Sequence, residues 1–241
     1  MDISTPLYNF IRFDNNLFIL PIEQGDTICF QVRIDDIGVS NDWSVSLRDT
    51  DTNNIISVSD IAIVKEGILL NISFAITGTI AYNKKYKVRL SYDDGNGLPE
   101  NFDSNFLMRP FYQTTYIEYT HFEDFLEFGY ETATPLVNKV RLPIRFYNNT
   151  PTTVTEQYQK SDGQFVSFGN FITDIYSIET PFLNSDYHRC IQAMLLHRTI
   201  KASINNLVHT IQLSENYVSE YPENNNYGFS KGKAKVSTSL I

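Results

Sequence analysis

The stretch that decides the fold is "DWSVSLRDTDTNNIISVSD", residues 42–60, a polar run between two apolar ones. Counted from Asp49, it carries oxygen-bearing side chains at positions 1, 3, 5 and 12, as a calcium loop does. A calcium loop also has glycine at position 6, for its sharp turn, and glutamate at position 12. Here position 6 is Asn54 and position 12 is the shorter Asp60. The polar run is therefore a poor match to a calcium loop.

The residues on either side of this run alternate as strand residues do. Before it, Trp43, Val45 and Leu47 are apolar and the positions between them are polar, which is the period of a half-buried strand. After it, "IISVSDIAIV" is rich in β-branched residues, which favour strands. The sequence therefore predicts that "DTDTNN" is the tip of a hairpin, and it places Trp43 in a core.

The same alternation recurs through the first half of the chain. It is seen in "TICFQVRID" (residues 27–35), "GILLNISFAI" (67–76), "KYKVRLSY" (85–92) and "SNFLM" (104–108). With turn residues between these runs, about seven strands are expected before residue 109. This pattern predicts a mainly β protein that begins with an immunoglobulin-like antiparallel β-sandwich.

A boundary is expected at Pro110 in "MRPFYQ", which gives an Ig-like domain over residues 1–109 and a second β-rich domain over 110–241. In the second domain Pro143 is predicted to point outward from an edge strand, because proline lacks an amide donor. Asp162-Gly163 and Asn205-Asn206 are predicted turns.

One helix is predicted near residues 185–198, capped by Asn184 or Ser185. Its apolar face would carry Tyr187, Ile191, Met194, Leu195 and Arg198.

The composition limits the partners and the compartment. A net charge of −9 argues against nucleic acid as the main partner, since phosphate binding needs a cationic face. The basic stretch "KGKAKV" (231–236) is expected to be a solvated strand edge or tail. Two cysteines and no secretory signal fit a reducing cytoplasm. No apolar run approaches the roughly 20 residues of a membrane span, so membrane insertion is not expected.

No residue is assigned to catalysis, to a cofactor or to a metal. His188 and Cys190 point to different helix faces at a spacing of two, and His197 lies on the far side of the helix from His188, so a shared zinc site is poor geometry. Surface or capping histidines and a buried structural cysteine are expected. Glu123, Asp124 and the neighbouring Glu127 interleave with phenylalanines in "HFEDFLEFGY" (121–130), as in an amphipathic turn that docks on a sheet.

Tyrosine is the most suggestive residue of the second half. Rigid, amphipathic tyrosines are favoured at protein interfaces and on sugar-binding platforms. The tyrosines expected to be exposed are Tyr112, Tyr116, Tyr119, Tyr130, Tyr147, Tyr158, Tyr217, Tyr221 and Tyr227.

The order of features resembles that of virion structural proteins of phages infecting Bacteroidetes, crAss-like phages included. The likeness rests on layout: an Ig-like end "YKVRLSYDDGNGLPENFDSNFLMRP", then "TTYIEYTHFEDFLEFGY", "NKVRLPIRFYNNTPTTVTEQYQKSDGQFVSF" and "LNSDYHRCIQAMLLHRTIKASIN". The resemblance implies a tail, neck or baseplate building block and carries no functional residue across.

Three functions are consistent with these observations. The first is a non-enzymatic ring or collar subunit of a phage tail or neck, a homo-oligomer that binds copies of itself and other virion proteins after assembly in the host bacterial cytoplasm. The second is a carbohydrate-binding or adhesin β-sandwich module. The third is a small hydrolase that uses Glu123, Asp124 or His188.

Overall fold

The computed structural model describes residues 3–6, 8–13, 18–34, 42–93, 95, 98–131, 136–220 and 228–240. The protein is mainly β, with one helix, α1 (Ser185–Leu195). The strands are β1 (Ile3–Ser4), β2 (Leu20–Pro21), β3 (Thr27–Ile34), β4 (Trp43–Asp49), β5 (Ile55–Ile56), β6 (Val58–Glu66), β7 (Leu69–Ile76), β8 (Lys85–Tyr92), β9 (Glu100–Met108), β10 (Thr115–Thr120), β11 (Asn138–Leu142), β12 (Arg145–Gln159), β13 (Phe165–Glu179), β14 (Leu183–Asn184), β15 (Thr199–Ile204), β16 (Leu207–Glu220) and β17 (Phe229–Leu240).

The first nine strands form a two-layer sandwich. One layer has the order β1-β3-β7-β6, and the other has the order β2-β9-β8-β4-β5, with β2 parallel to β9 and the remaining pairs antiparallel. These orders are those of the A-B-E-D and G-F-C sheets of an immunoglobulin domain. The predicted Ig-like sandwich is therefore confirmed. The strands that the alternation missed are short, because two residues are too few to show a period.

The predicted inward faces fill the core between the two layers. Leu47, Leu70, Phe74 and Val88 have no exposed surface, and Trp43 is buried as expected. Ile68 is the exception, since half of it is exposed in the turn between β6 and β7.

Tyr86 fixes the corner between β7 and β8. It lies at the start of β8, is almost fully buried, and its hydroxyl accepts a hydrogen bond of 2.9 Å from the backbone amide of Ala81. A tyrosine bonded back to upstream backbone at this corner is a hallmark of Ig-like sandwiches.

The polar run after β4 is the tip of a hairpin, as predicted, because β4 pairs with β5 across it. One side-chain oxygen of Asp49 accepts from the amides of Asp51 and Thr52 at 2.9 and 3.2 Å, and the other pairs with Lys84. Asn53 takes the left-handed conformation with φ of 58°. The oxygens that resembled calcium ligands thus stabilise the turn itself.

The second half extends the first sheet beyond β3. Lys139 of β11 lies opposite Cys29 of β3, and the order continues as β11-β10-β15-β16-β17-β13-β12. One buried apolar cluster also includes residues from both halves. Whether residues 1–109 and 110–241 fold as separate domains stays a prediction.

The two predicted turns are confirmed. Gly163, with φ of 85°, closes the hairpin between β12 and β13. Asn205 and Asn206, with φ of 51° and 65°, join β15 to β16.

The prediction for Pro143 was wrong. It is buried in the break between β11 and β12, and Ile144 beside it is also outside the strands. A proline has no amide donor to continue the strand ladder, so β11 ends at Leu142 and β12 begins at Arg145. Of these two strands, β12, which follows the break, lies at an edge of the sheet, and β11 lies in its interior.

Helix α1 ends three residues before the predicted limit. The side chain of Asn184 caps it by accepting from the amide of Tyr187 at 2.9 Å, and the exposed Arg198 lies beyond its end. Tyr187 packs edge-on against Phe10, with ring centroids 5.8 Å apart. The helix therefore contacts the segment between β1 and β2 as well as its own half. Within the described residues, no helix is long and apolar enough to cross a bilayer.

The basic stretch lies in an interior strand, not at an edge or in a tail, because β17 pairs with both β13 and β16. Its lysines are nevertheless on the solvated face, as expected. Lys233 pairs with Glu220 at 2.9 Å and Lys235 with Glu215 at 2.6 Å.

Candidate functional site

His188 is buried, which contradicts its predicted place on the surface. Its Nε2 donates to the carbonyl of Ser230 at 2.9 Å, so its Nδ1 is the acceptor for the hydroxyl of Tyr217 at 2.6 Å. Burial lowers the pKa of His188 below its usual value. The histidine is a neutral link between α1 and strands β16 and β17.

His197 makes a second link of the same kind. It is buried and not on the surface, but it caps the C-terminal end of α1, which is the other role predicted for the histidines. Its Nδ1 donates to the carbonyl of Ala193 at 2.8 Å, and its Nε2 accepts from the hydroxyl of Tyr130 at 2.8 Å. That hydroxyl in turn accepts from the side-chain amide of Asn138 at 2.8 Å. Burial lowers the pKa of His197 to about 4.

These bonds leave no free ring nitrogen on either histidine for a base or a metal ligand. His188 and Cys190 face different partners, since the Cys190 sulfur lies 3.8 Å from the carbonyl of Asn9. Cys190 is buried as predicted, and burial raises the pKa of its thiol to about 12. In the part of the chain that the structure describes, no three His, Cys, Asp or Glu residues are grouped to hold a metal ion.

The acidic-aromatic segment 121–130 docks on the sandwich through Gln31, as the amphipathic pattern indicated. The Gln31 Oε1 accepts from the amide of Gly129 at 2.8 Å, and its Nε2 donates to the Gly129 carbonyl at 2.9 Å. Gly129 has no room for a Cβ, which would meet the side chain of Leu69. Glu123 and Asp124 stay exposed, and Asp124 accepts from the amide of Tyr130 at 2.7 Å. The carboxylates therefore lie outside any enclosed site.

An ion pair that is largely buried joins the two halves. Arg141 of β11 makes two short bonds to Asp26, 2.7 Å from Nη2 to Oδ1 and 2.8 Å from Nε to Oδ2. Asp26 is only 6% exposed. An open polar groove, lined among others by Tyr116, Glu118 and Asn206, contains this ion pair in its wall.

Only some of the tyrosines that were predicted to be exposed are exposed in the structure. Tyr119, Tyr130 and Tyr217 are buried, so the expectation that they are exposed was wrong. Their rings and hydroxyls contact His188 in α1 and His197 just after it. The exposed ones are Tyr112, Tyr147 and Tyr158; Tyr116 is half-buried, and Tyr221 and Tyr227 lie outside the described residues.

Among the strands that the structure describes, the large sheet ends in β6 on one side and β12 on the other, and each is paired along one edge only. Strand β6 carries a bulge at Asp60, whose φ is 51°, beside the half-exposed Ile61. Strand β12 is fifteen residues long, and the tip of its hairpin exposes Tyr158 and Phe165. Open edges and exposed apolar side chains are places where another chain can bind. Sequence reasoning anticipated edges but not which strands form them, since this depends on pairing between distant residues.

A stack of three side chains stands at the junction of the halves. The Arg109 guanidinium lies 4.0 Å from the centroid of the Tyr82 ring, and that ring stacks on Phe111 at 4.7 Å. Phe111 is 72% exposed. The sequence did not single out this stack, because its members lie on either side of β9.

Comparison with known proteins gives no matching family model and no curated protein that is significantly similar. The function is therefore inferred from the geometry of this chain alone.

Proposed function

We propose that the protein is a non-enzymatic virion structural protein, a ring or collar subunit of a phage tail or neck that acts through contacts with copies of itself and with other virion proteins. It would assemble in the host bacterial cytoplasm and remain in the virion. The observation that carries the proposal is the large sheet, whose two ends within the described residues are formed by different strands, β6 and β12.

Two different patches at opposite ends of one subunit favour head-to-tail contacts. Such heterologous contacts close into a ring when the rotation between neighbours allows it. Each end offers exposed apolar surface, Ile61 on β6 and Tyr158 with Phe165 at the tip of the β12–β13 hairpin. The buried histidines support a mechanical role, because their ring nitrogens hold the fold together.

The test is the assembly state of the purified protein, measured by light scattering after size exclusion and by negative-stain electron microscopy. We expect rings at high concentration. Ile61→Lys and Phe165→Lys should weaken assembly at least tenfold in protomer concentration, since each places a charge in an apolar contact.

The control is Leu98→Lys, which changes a side chain that is 94% exposed on the loop before β9 and should assemble as the unchanged protein does. A protein that stays monomeric at high concentration, together with its absence from virions by mass spectrometry, would rule out the proposal.

A carbohydrate-binding or adhesin module is the second candidate, favoured by the exposed face of Phe111 on the Tyr82 stack. Flat aromatic faces are surfaces on which sugar rings can stack. A glycan array should then give a specific signal that Phe111→Ala removes and Phe165→Ala, at a similarly exposed ring far along the chain, leaves unchanged. No signal with the unchanged protein would exclude this candidate.

A further inference from the structure

A small cavity lies on the outer face of the sandwich layer that contains β3, β6 and β7. Its volume is about 160 Å³, comparable with apolar cavities of ~150 Å³ that hold benzene. One side is the sheet, and the other is the segment that leads into β11. Its apolar walls include Ala62, Val64, Leu136 and Val137.

The amide of Asn71 supplies a buried donor without a protein partner at this cavity. Asn71 alternates with the core residues Leu70 and Ile72, so its side chain is on the outer face of β7. It is 8% exposed, and its Nδ2 has no hydrogen-bond partner among the described residues. A buried amide donor without a partner costs free energy, which makes this group a place where a ligand can gain affinity.

The orientation of that amide is fixed by its neighbours. The amide of Gly129 donates to Oε1 of Gln31, so Nε2 of Gln31 is the donor and Oδ1 of Asn71 must accept from it, at 2.7 Å. The Nδ2 of Asn71 is therefore the arm directed away from Gln31. Register places Val64 of β6, a wall of the cavity, on that side of Asn71.

The other polar groups of the cavity include the Lys139 ammonium, which only donates, and the hydroxyl and thiol of Ser73 and Cys29, which can each donate or accept. Ser73 and the thiol of Cys29 lie on the sheet, and Lys139 lies at the rim, where it pairs with Glu118 at 3.2 Å. Donors on one side and apolar walls on the other suit a molecule with an acceptor at one end and a compact apolar body.

We propose that this cavity binds a small monocarboxylate with a compact apolar body, and that the carboxylate accepts a hydrogen bond from Asn71 Nδ2. The apolar body fills the space between Val64 and Leu136, and Lys139 supplies positive charge at the entrance. The cavity shares β6 with one proposed assembly contact, since Ala62 and Val64 follow Ile61 on that strand. Binding to the single chain does not require a neighbour, so the titration tests this site whether or not the protein forms rings.

Benzoate is the probe, titrated into the full chain and followed by calorimetry and by protection of Cys29 from a maleimide reagent. We expect saturable 1:1 binding and slower labelling of Cys29, whereas Cys190, only 1% exposed, stays unlabelled in both samples. Asn71→Asp keeps the oxygen that Gln31 needs but replaces the donor with a repelling charge. It should weaken binding tenfold or more.

Two further variants keep the result interpretable. Asn54→Asp makes the same chemical change at the exposed hairpin tip and should bind as the unchanged protein does. Val64→Phe fills the cavity without altering Asn71 and should abolish binding. The proposal is overturned if benzoate shows no saturable binding up to tens of millimolar, or if Asn71→Asp and Val64→Phe fold and bind it unchanged.

Discussion

His197 and His188 are each held between one donor and one acceptor, which fixes the tautomer of the ring. In both rings the nitrogen facing a backbone carbonyl carries the proton, and the other accepts from a tyrosine hydroxyl. Protonation would make that accepting nitrogen a donor, so the tyrosine hydroxyl would lose the acceptor for its own proton and the ring would carry a buried charge. The tie between helix and sheet therefore depends on neutral histidines.

Acid should weaken the fold through His197. The pKa of His197 is about 4 in the folded chain and 6.5 in the unfolded chain, so titration of this residue does not change the free energy of unfolding above pH 6.5. As pH falls from 6.5 towards 4, the unfolded state takes up the proton first and stability drops, by about 3 kcal/mol in total. Urea unfolding at pH 7.0 and 4.5 should show this loss, and His197→Gln should reduce it, leaving the smaller share of His188. An equal loss in both proteins would contradict the assignment.

Gly232 is required because the ring of Tyr217 lies against its backbone. A Cβ at this position would overlap the Tyr217 hydroxyl and ring, which the bond to His188 holds in place. Gly232→Ala should therefore lower the free energy of unfolding by about 3 kcal/mol, measured by urea titration.

The matched control is Gly67→Ala, where a Cβ meets nothing within 4 Å and only the φ of 59° is unfavourable. Its expected cost is about 1 kcal/mol. Equal losses at the two glycines would mean that the Tyr217 contact is unimportant.

At the scale of elements, the buried side chain of Gln31 makes most of the hydrogen bonds that hold the docked segment 121–130 to the sandwich. Gln31 makes three hydrogen bonds, one to Asn71 and two to Gly129. Gln31→Leu leaves these groups without partners, so we expect a loss of about 3 kcal/mol and at least tenfold faster hydrogen exchange at the Gly129 amide. Gln24→Leu removes one exposed bond, to the Thr77 carbonyl, and should change neither quantity. Unchanged exchange in the Gln31 variant would mean that the other contacts hold the segment, among them the bond of 2.9 Å from Arg33 to the Glu127 carbonyl.

The sequence predicts elements well where the signal is local. Alternation identified the main strands of the sandwich, and asparagine and glycine pairs identified the turns at Asn205-Asn206 and Gly163. The prediction failed at Pro143, because the proline interrupts the strand although the apolar alternation continues past it. It also failed for the burial of the histidines, because polar residues on an amphipathic helix are expected at the surface. The Gln31–Gly129 contact, the Asn71 cavity and the pairing of β3 with β11 join residues far apart in the chain, so no local pattern announces them.

At the scale of the molecule, the two halves share a sheet, a core and the pair Asp26–Arg141. Removing one member of a buried pair leaves an uncompensated charge. Separating the halves would break this pair, so the pair stabilises their contact. Independent domains would have exposed, flexible linkers with few contacts between them.

The two halves should unfold together. Trp43, the one tryptophan, reports the sandwich by fluorescence, and labelling of Cys190, resolved by mass spectrometry, reports the second half. We expect both probes to give the same urea midpoint. Two separated midpoints would instead support independent domains at 1–109 and 110–241.

The burial of the amino-terminal segment against α1 also sets an order of events during synthesis. Asn9 and Cys190, in contact in the finished fold, are 181 positions apart, and the neighbouring Phe10 packs on Tyr187. At ribosomal speeds the helix emerges on the order of ten seconds after the first residues. Throughout that interval Phe10 lacks the cover that Tyr187 gives it in the folded chain. The nascent chain therefore exposes this apolar side chain to chaperones and to neighbouring nascent chains until α1 has been made.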